Sequence, residues 1–443
     1  MGKIFGRMVK KAKANITYSL HKNYEEVMEN ADFLYKSISV GIQEAEWFDN
    51  YLPQKFGIPQ NTGDTLGPGG TFRGFRTNHI AASIAKSMKK LCPKAALLNY
   101  TNPQASIVMA ARRAAPDVEY IGLCHELFGG MRTLKSWYNE NFGDKVARWE
   151  DFDIVYGGIN HFCWLVDFKY KGQDLYPKLR EQAHQLTLSN YKNRGFNFHL
   201  LEKYGYFPYP GSRHGAEFMT DYYNYFNHMI QSPYWKFPKL RDVKNLGRAR
   251  KGAYFGFKLM AKRILAVPGP KKEGERAMEM TMDFMNNAPT HHVVNIPNNG
   301  IIKNLPDDCI VEIPGRFKGG KMIPAVEPFE LPSQVADLVR PHAEQTKYTV
   351  DAALGNSLDL CVKAMQHDPM CRWIEDDEKI EALTKLMLYY EQNWLPESWK
   401  EWIPTKAELE QSKYWVSQKE LKDIYKVKFP PKPELKSKAV FWK

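Results

Sequence analysis

Three apolar runs in this chain end in residues able to do chemistry. Ala95–Leu98 opens into Asn99-Tyr100-Thr101-Asn102-Pro103, and Tyr120–Leu123 opens into Cys124-His125-Glu126. Ile154–Tyr156 delivers Gly157-Gly158-Ile159-Asn160-His161-Phe162. A thiolate and an imidazole suit Zn, Fe, Co, Ni or, less ideally, Mn. Two protein ligands leave such a metal open to substrate oxygens, as a catalytic metal requires. Taken singly, Cys124 reads as an inert small hydrophobe and His161 as a hydrogen-bonded core histidine. Their shared topology favours function: both follow core elements, beside Asn102, His125 and Asn160. Ligands in open parallel sheets bind at the carboxyl ends of strands.

A second cluster follows Tyr209-Pro210-Gly211. There His214 and Glu217 stand three apart at the start of a helix and face one side. The plain alternative is an acid favouring the helix dipole. Gly67-Pro68-Gly69-Gly70 can form an anion-holding nest or an ordinary turn.

The elements that must carry these residues alternate strand and helix. Strands are expected at Ile16–Leu20, Phe33–Val40, 95–98 and 120–123, and helices at Tyr24–Asn30, Asn78–Leu91 and Gln104–Ala114. Alternation of this kind makes an α/β, doubly wound parallel sheet of Rossmann type. After about residue 165, helices at Pro177–Leu188, Glu217–Asn227, Gly274–Asn287, Ser333–Leu354, Ser357–Gln366 and Asp376–Asn393 mix with antiparallel pieces. Val293–Asn304 reads as a hairpin turning at Asn299-Gly300. The expected division is a Rossmann-like domain at 1–160, an α+β domain at 161–425 and an extended basic tail at 426–443. A dinucleotide-binding sheet opens with a strand, a G-x-G-x-x-G turn and a second strand ending in an acid. No such unit precedes Ile16, and Lys36 would be costly in a central strand unless that strand is an edge. The sheet therefore reads as truncated at its amino end.

The totals exclude several classes. With 43% hydrophobic residues among 443, the chain can bury a large core, yet no apolar run is long enough to span a bilayer. The first 24 residues lack acids and carry Lys3, Arg7, Lys10, Lys11 and Lys13, which reads as an ordinary basic helix. The apolar run there is too short for a secretory signal, and Gly6 breaks the myristoylation pattern. The net charge of +12 comes from bases interleaved with acids, without a nucleic-acid motif. Six cysteines without CxxC or disulfide-type spacing suit a reducing cytoplasm. Neither nucleic acid nor membrane is an expected partner.

Five motifs in order resemble glycoside hydrolase family 4, the NAD- and metal-dependent glycosidases. They are GDTLGPGG at 63–70, NYTNP at 99–103, GLCHE at 122–126, GINHFCW at 158–164 and VNIPNNGIIKNLPDD at 294–308. The likeness covers roughly residues 15–370. Phe128-Gly129 after Cys-His-Glu, and RHGAEF at 213–218, are most similar to the α-galacturonidase branch, with α-galactosidases and α-glucosidases as close neighbours.

The resemblance implies a truncated Rossmann-like sheet followed by a lactate/malate-dehydrogenase-like α+β domain. It implies Cys124 and His161 as ligands of Mn2+ or another divalent metal, and NAD held near Ser39, Gly41 and Asn99. Asn102 and His125 would contact sugar hydroxyls, and Asn160 would support the same site. The tyrosine base of some branches is replaced near Phe218, leaving His214, Glu217 or Tyr222 as substitutes, with His125 also in a catalytic role. Arg213 has the planar fork that suits a uronate carboxylate. This chemistry departs from the two-carboxylate scheme. NAD takes hydride from C3, the metal stabilises the enediolate, the aglycone leaves after loss of the C2 proton, water adds and hydride returns. A glycoside substrate and a homodimer or homotetramer are implied. The rivals are a lactate/malate-type dehydrogenase and a non-catalytic homologue, short of its cofactor half, that binds sugar or a partner.

Overall fold

Parallel pairing of short apolar strands builds the first part of the sheet in the computed structural model, which describes residues 2–58, 60, 62–219, 243–269 and 276–423. These strands are β1 (Phe33–Lys36), β2 (Ala96–Asn99) and β3 (Glu119–Leu123), with Leu34 opposite Leu97 and Leu97 opposite Tyr120. Parallel neighbours need long crossovers. The helices α3 (Gly67–Leu91) and α4 (Gln104–Ala114) supply them, after α1 (Gly2–Ala12) and α2 (Ile42–Lys55). Every residue of β2 is buried, as expected for a strand covered on both faces.

Among the described residues β1 pairs only with β2, so it is the edge that Lys36 requires. Even so, Lys36 is only 4% exposed, and its Nζ donates to Asn99 Oδ1 at 3.1 Å. Burial lowers its pKa to about 7.

Beyond β3 the pairing turns antiparallel. The sheet continues through β8 (His292–Pro297), β9 (Ile310–Lys318), β4 (Asp153–Ile159), β5 (Phe162–Tyr170) and β6 (Gln173–Asp174). β10 (Lys321–Pro324) pairs with β9 and β7 (Phe207–Pro208) with β5, giving ten strands. The helix α5 (Glu126–Asn141) leaves the end of β3. The hairpin between β4 and β5 turns at Asn160-His161. Gly158 is indispensable there, because its φ is +149° and a Cβ would lie 2.5 Å from the Phe162 carbonyl oxygen.

The helical layer is tied together by an ion group. Arg76 of α3 bonds Asp49 of α2 at 2.7 Å and also Glu391, at the end of the helix Asp377–Glu391, all three fully buried. Burial pushes both carboxyl groups up, while the same two carboxylates hold Arg76 charged against its own desolvation.

Several expected elements differ. Ile16–Leu20 forms no strand, since none of the described residues pairs with it, and Ile16 and Leu20 are 53% and 71% exposed. The expected helix at 24–30 shrinks to a 3-10 turn at Glu25–Val27, and the strand at 33–40 stops at Lys36. The Asn299-Gly300 turn is present, with φ of +44° and +79°, but β8 pairs with β9 rather than with 301–304. The Asn298 amide explains this, donating to the carbonyls of Ile302 and Leu305 and accepting from Ile302 N, so the loop closes on itself. The helix expected at 217–227 begins earlier, as α8 (Ser212–Phe218), following α6 (Tyr176–Leu188) and α7 (Gly195–Tyr204). Its later part, Tyr222 and the tail from 426 lie outside the described residues. No helix among those described is long and apolar enough to cross a membrane.

Candidate metal and substrate site

Three separate segments bring Asp64, His161 and His214 together, with ligand atoms all within 4.8 Å of one another. Asp64 stands just ahead of α3, His161 at the β4–β5 turn, and His214 in α8. Thr65 Oγ1 donates to Asp64 Oδ1 at 2.8 Å and lies 2.9 Å from His161 Nδ1. A hydroxyl has one hydrogen. With that hydrogen on Asp64, His161 Nδ1–H is the donor and Nε2 keeps its lone pair for a metal. Asn102 Nδ2 donates to the other Asp64 oxygen at 3.3 Å, and Arg73 Nε holds the Asn102 carbonyl at 3.1 Å.

The electrostatics suit ligation. Burial alone would raise Asp64, but the neighbouring His214, His161 and Arg73 side chains and the Thr65 hydroxyl outweigh it and hold the carboxyl below its usual range. Burial, then the neighbouring His214 charge, lowers His161 to about 3, so its imidazole is neutral at ordinary pH. The His161 and His214 rings lie 3.9 Å apart between centroids, with 30° between planes. His214 Nδ1 is buried without a hydrogen-bond partner among the described residues.

Glu126, in the first turn of α5, closes one side. Its Oε1 lies 3.8 Å from His214 Nε2, and its Oε2 accepts from Gly211 N at 2.7 Å. Burial raises its carboxyl, but His214, His161, the Gly211 N–H and Arg194 together bring it below the ordinary range. His125, the exposed N-cap of α5, stands close enough for its charge to act on His161. Arg213 is exposed beside His214 on α8.

Other expected site residues have different surroundings. Cys124 is outside the three-ligand cluster. Its buried thiol turns to Glu312 and the Glu126 backbone, and burial first, then Glu312, pushes its pKa well up. It also borders a cavity of about 630 Å³ lined by Phe128, Trp149, Arg276 and His292. Asn160 is 1% exposed and donates to Glu312 Oε2 at 2.8 Å. Glu217 is buried, and its Oε1 accepts from Thr62 N at 2.6 Å and Gly63 N at 2.8 Å. It therefore clamps the loop carrying Asp64, a task that conflicts with moving a substrate proton. Phe218 stacks on Phe162 at 4.7 Å between centroids.

The expected cofactor contacts are uneven. Ser39 is exposed. Gly41 caps α2 at φ +74°, where a Cβ would lie 2.4 Å from Ala45 Cβ. Asn99 is wholly buried, its Nδ2 donating to Thr101 O and Gln104 Oε1 and its Oδ1 accepting from Lys36. The Gly67–Gly70 run is no open nest. It forms the buried first turn of α3, with Gly69 N bonded to Gln60 and Gly70 N to the Leu66 carbonyl.

Two acids escaped the sequence reading, Asp64 and Glu312, while Glu126 was named beside Cys124 and His125 without a role of its own. Asp64 lies inside the GDTLGPGG motif, where the Gly67–Gly70 run drew the attention.

The Family 4 glycosyl hydrolase model matches residues 1–140, and that family's C-terminal domain model matches residues 156–371. An alpha-galacturonidase of Thermoanaerobacter italicus is 32% identical over 380 residues, 81% of this chain and 81% of the relative. An alpha-galacturonidase of Bacillus subtilis is 30% identical over 367 residues, 80% of each chain. Among solved structures, the Bacillus subtilis protein lplD, described as a glucosidase, superposes with a TM-score of 0.78 at 28% identity, covering 86% of this chain and 89% of its own. A 6-phospho-alpha-glucosidase from gut microorganisms, in complex with NAD and Mn2+, shares the fold at a TM-score of 0.72 and 21% identity, covering 89% of each chain.

Proposed function

This chain belongs to family 4 of the glycosyl hydrolases, and from that premise we propose that it hydrolyses α-galacturonides with a divalent metal and NAD. The Asp64–His161–His214 cluster carries the reading. A carboxylate and two imidazoles make a donor set that suits Mn2+ and leaves positions open to sugar oxygens. The neutral His161, the low carboxyl of Asp64 and the orphaned His214 Nδ1 fit such an ion. When bound, the metal would act as a Lewis acid on the C2 and C3 oxygens, and NAD would accept and return the C3 hydride. Relatives solved in complex with NAD support that cofactor. Of its expected contacts Ser39 remains accessible and Asn99 does not, so no step is assigned to either.

The chain's own residues then divide the work. Thr65 and Asn102 orient Asp64, Glu126 lies against His214, and the exposed His125 would move the C2 proton. Arg213 would pair with the uronate carboxylate. Cytoplasmic residence is supported by six buried, unpaired cysteines. A homodimer or homotetramer remains part of the proposal.

The test is aglycone release from an aryl α-galacturonide by the full chain with Mn2+, NAD and reductant. Release faster than from the aryl α-galactoside, with NADH flat, is expected. NADH accumulating one-for-one with substrate would favour a dehydrogenase, and sugar binding without release a non-catalytic homologue.

A further inference from the structure

Two segments of the chain contain no acid. Residues 2–20 carry five bases and residues 243–269 carry seven, which together equal the net charge of +12, so the remainder balances to zero. They lie far apart along the chain, but the fold sets them side by side. Lys11 Nζ, just inside the end of α1, donates to the Val267 carbonyl at 2.8 Å, and Arg7 donates to the Met260 carbonyl in the helix Val243–Ala261. Arg250 pairs with Glu46 of α2 and ties that helix to the body. Along the helix Arg248, Lys251, Phe255 and Lys258 recur at steps of three and four and share one face. The Lys262 N–H on the Lys258 carbonyl carries that face one turn further. Lys3, Lys10, Lys251, Lys258, Lys262 and Arg263 are exposed. The same two segments hold exposed apolar side chains: Phe5, Tyr254 and Phe255 at 62% each, Phe257, and Ile264 at 64% beside Leu265.

We propose that α1 and the Val243–Ala261 helix form a peripheral docking surface for an anionic lipid bilayer. An acid-free basic surface attracts a negatively charged one, and each Lys or Arg near the headgroups strengthens attachment about fivefold. The exposed Ile264, Leu265 and aromatic rings decide the kind of partner. Such side chains gain by leaving water for the headgroup boundary, as in helices that lie on membranes. A nucleic-acid phosphate backbone offers aliphatic groups nothing. A second copy of this chain is disfavoured, because two acid-free basic surfaces repel. No described helix is long and apolar enough to cross a membrane, so the contact is with its surface. The proposal is independent of the metal reading.

The experiment floats the full chain with vesicles of phosphatidylcholine alone and of an equimolar mixture with phosphatidylglycerol. Binding to the mixture, absent with phosphatidylcholine alone and falling steeply with added salt, is expected. Lys251→Glu with Lys262→Glu should weaken it by more than about tenfold. Ile264→Ser with Leu265→Ser keeps every charge and should weaken it about threefold or more. These side chains are exposed, so both pairs should melt with the wild type. Should either fail to fold, Lys3→Glu with Lys10→Glu on α1 tests the same surface and should also weaken binding. The basic tail at 426–443 is common to every variant, so the differences report this surface alone. No binding, equal binding to both vesicle types, or wild-type binding by either folded pair overturns the proposal. Tighter binding to duplex DNA than to the anionic vesicles overturns it in favour of nucleic acid.

Discussion

His161 and His214 face one another with ring centroids 3.9 Å apart, and Asp64 supplies a carboxylate oxygen within 4.8 Å of both. Two imidazoles at this distance with a carboxylate beside them define a place for a cation, because the arrangement repels a proton from His161 while keeping Asp64 ionised. Asp64→Asn keeps shape and removes that charge. Its Mn2+ affinity should fall by more than about 100-fold, beyond the loss typical of an outer-shell partner. Isothermal titration with Mn2+ measures it, and an unchanged constant would remove Asp64 from the site.

Acid should destabilise the metal-free chain through the same group. His161 has its folded pKa lowered to about 3, so the unfolded state binds the proton first as pH falls below the ordinary histidine value. The stabilisation is complete above about pH 6.5 and is lost progressively as pH falls toward the folded value, at up to about 1.4 kcal/mol per pH unit for one proton. His199 (about 4) and His292 shift in the same direction, so the comparison is with His161→Asn. Urea unfolding from pH 7 to pH 4 should show a shallower decline in the variant. Identical slopes would contradict the assignment.

How much of this was legible in the sequence follows from which residues act locally. β2 and β3 announced themselves because each is a short apolar run between helices, and the motif residues at their ends needed no partner to be noticed. His161 and His214 were both singled out, but separately. Nothing in one dimension pairs a turn at 161 with a helix at 214, or either with Asp64. Glu312 was invisible for the same reason, as its donors at 160, 209 and 295 come from three other segments. Cys124 was noticed for its type, but where a thiol points is set by packing against Glu312. Ile16–Leu20 had the composition of a strand and lacked a neighbour to pair with.

Glu217 offers a way to separate clamp from base. Glu217→Gln should lower stability by about 1–3 kcal/mol, since charge-assisted bonds to Thr62 N and Gly63 N weaken. The residual activity should retain the wild-type pH profile. A folded variant of unchanged stability that loses the limb belonging to a general base would instead make Glu217 catalytic.

The Arg76 group should show the cost of unbalancing a buried network. Arg76→Met strands Asp49 and Glu391 in the interior and should cost about 3–5 kcal/mol in denaturant unfolding. A loss below about 1 kcal/mol would mean that one of the two carboxyl groups is neutral and the pairing weak.

The most direct measurement is anomalous X-ray scattering at the manganese edge from crystals of the full chain grown with Mn2+. The account predicts a peak bonded by Asp64, His161 and His214, with its remaining positions facing His125 and Arg213. A peak elsewhere, or an ion held by Cys124 with Asp64 and His214 turned away, would contradict it.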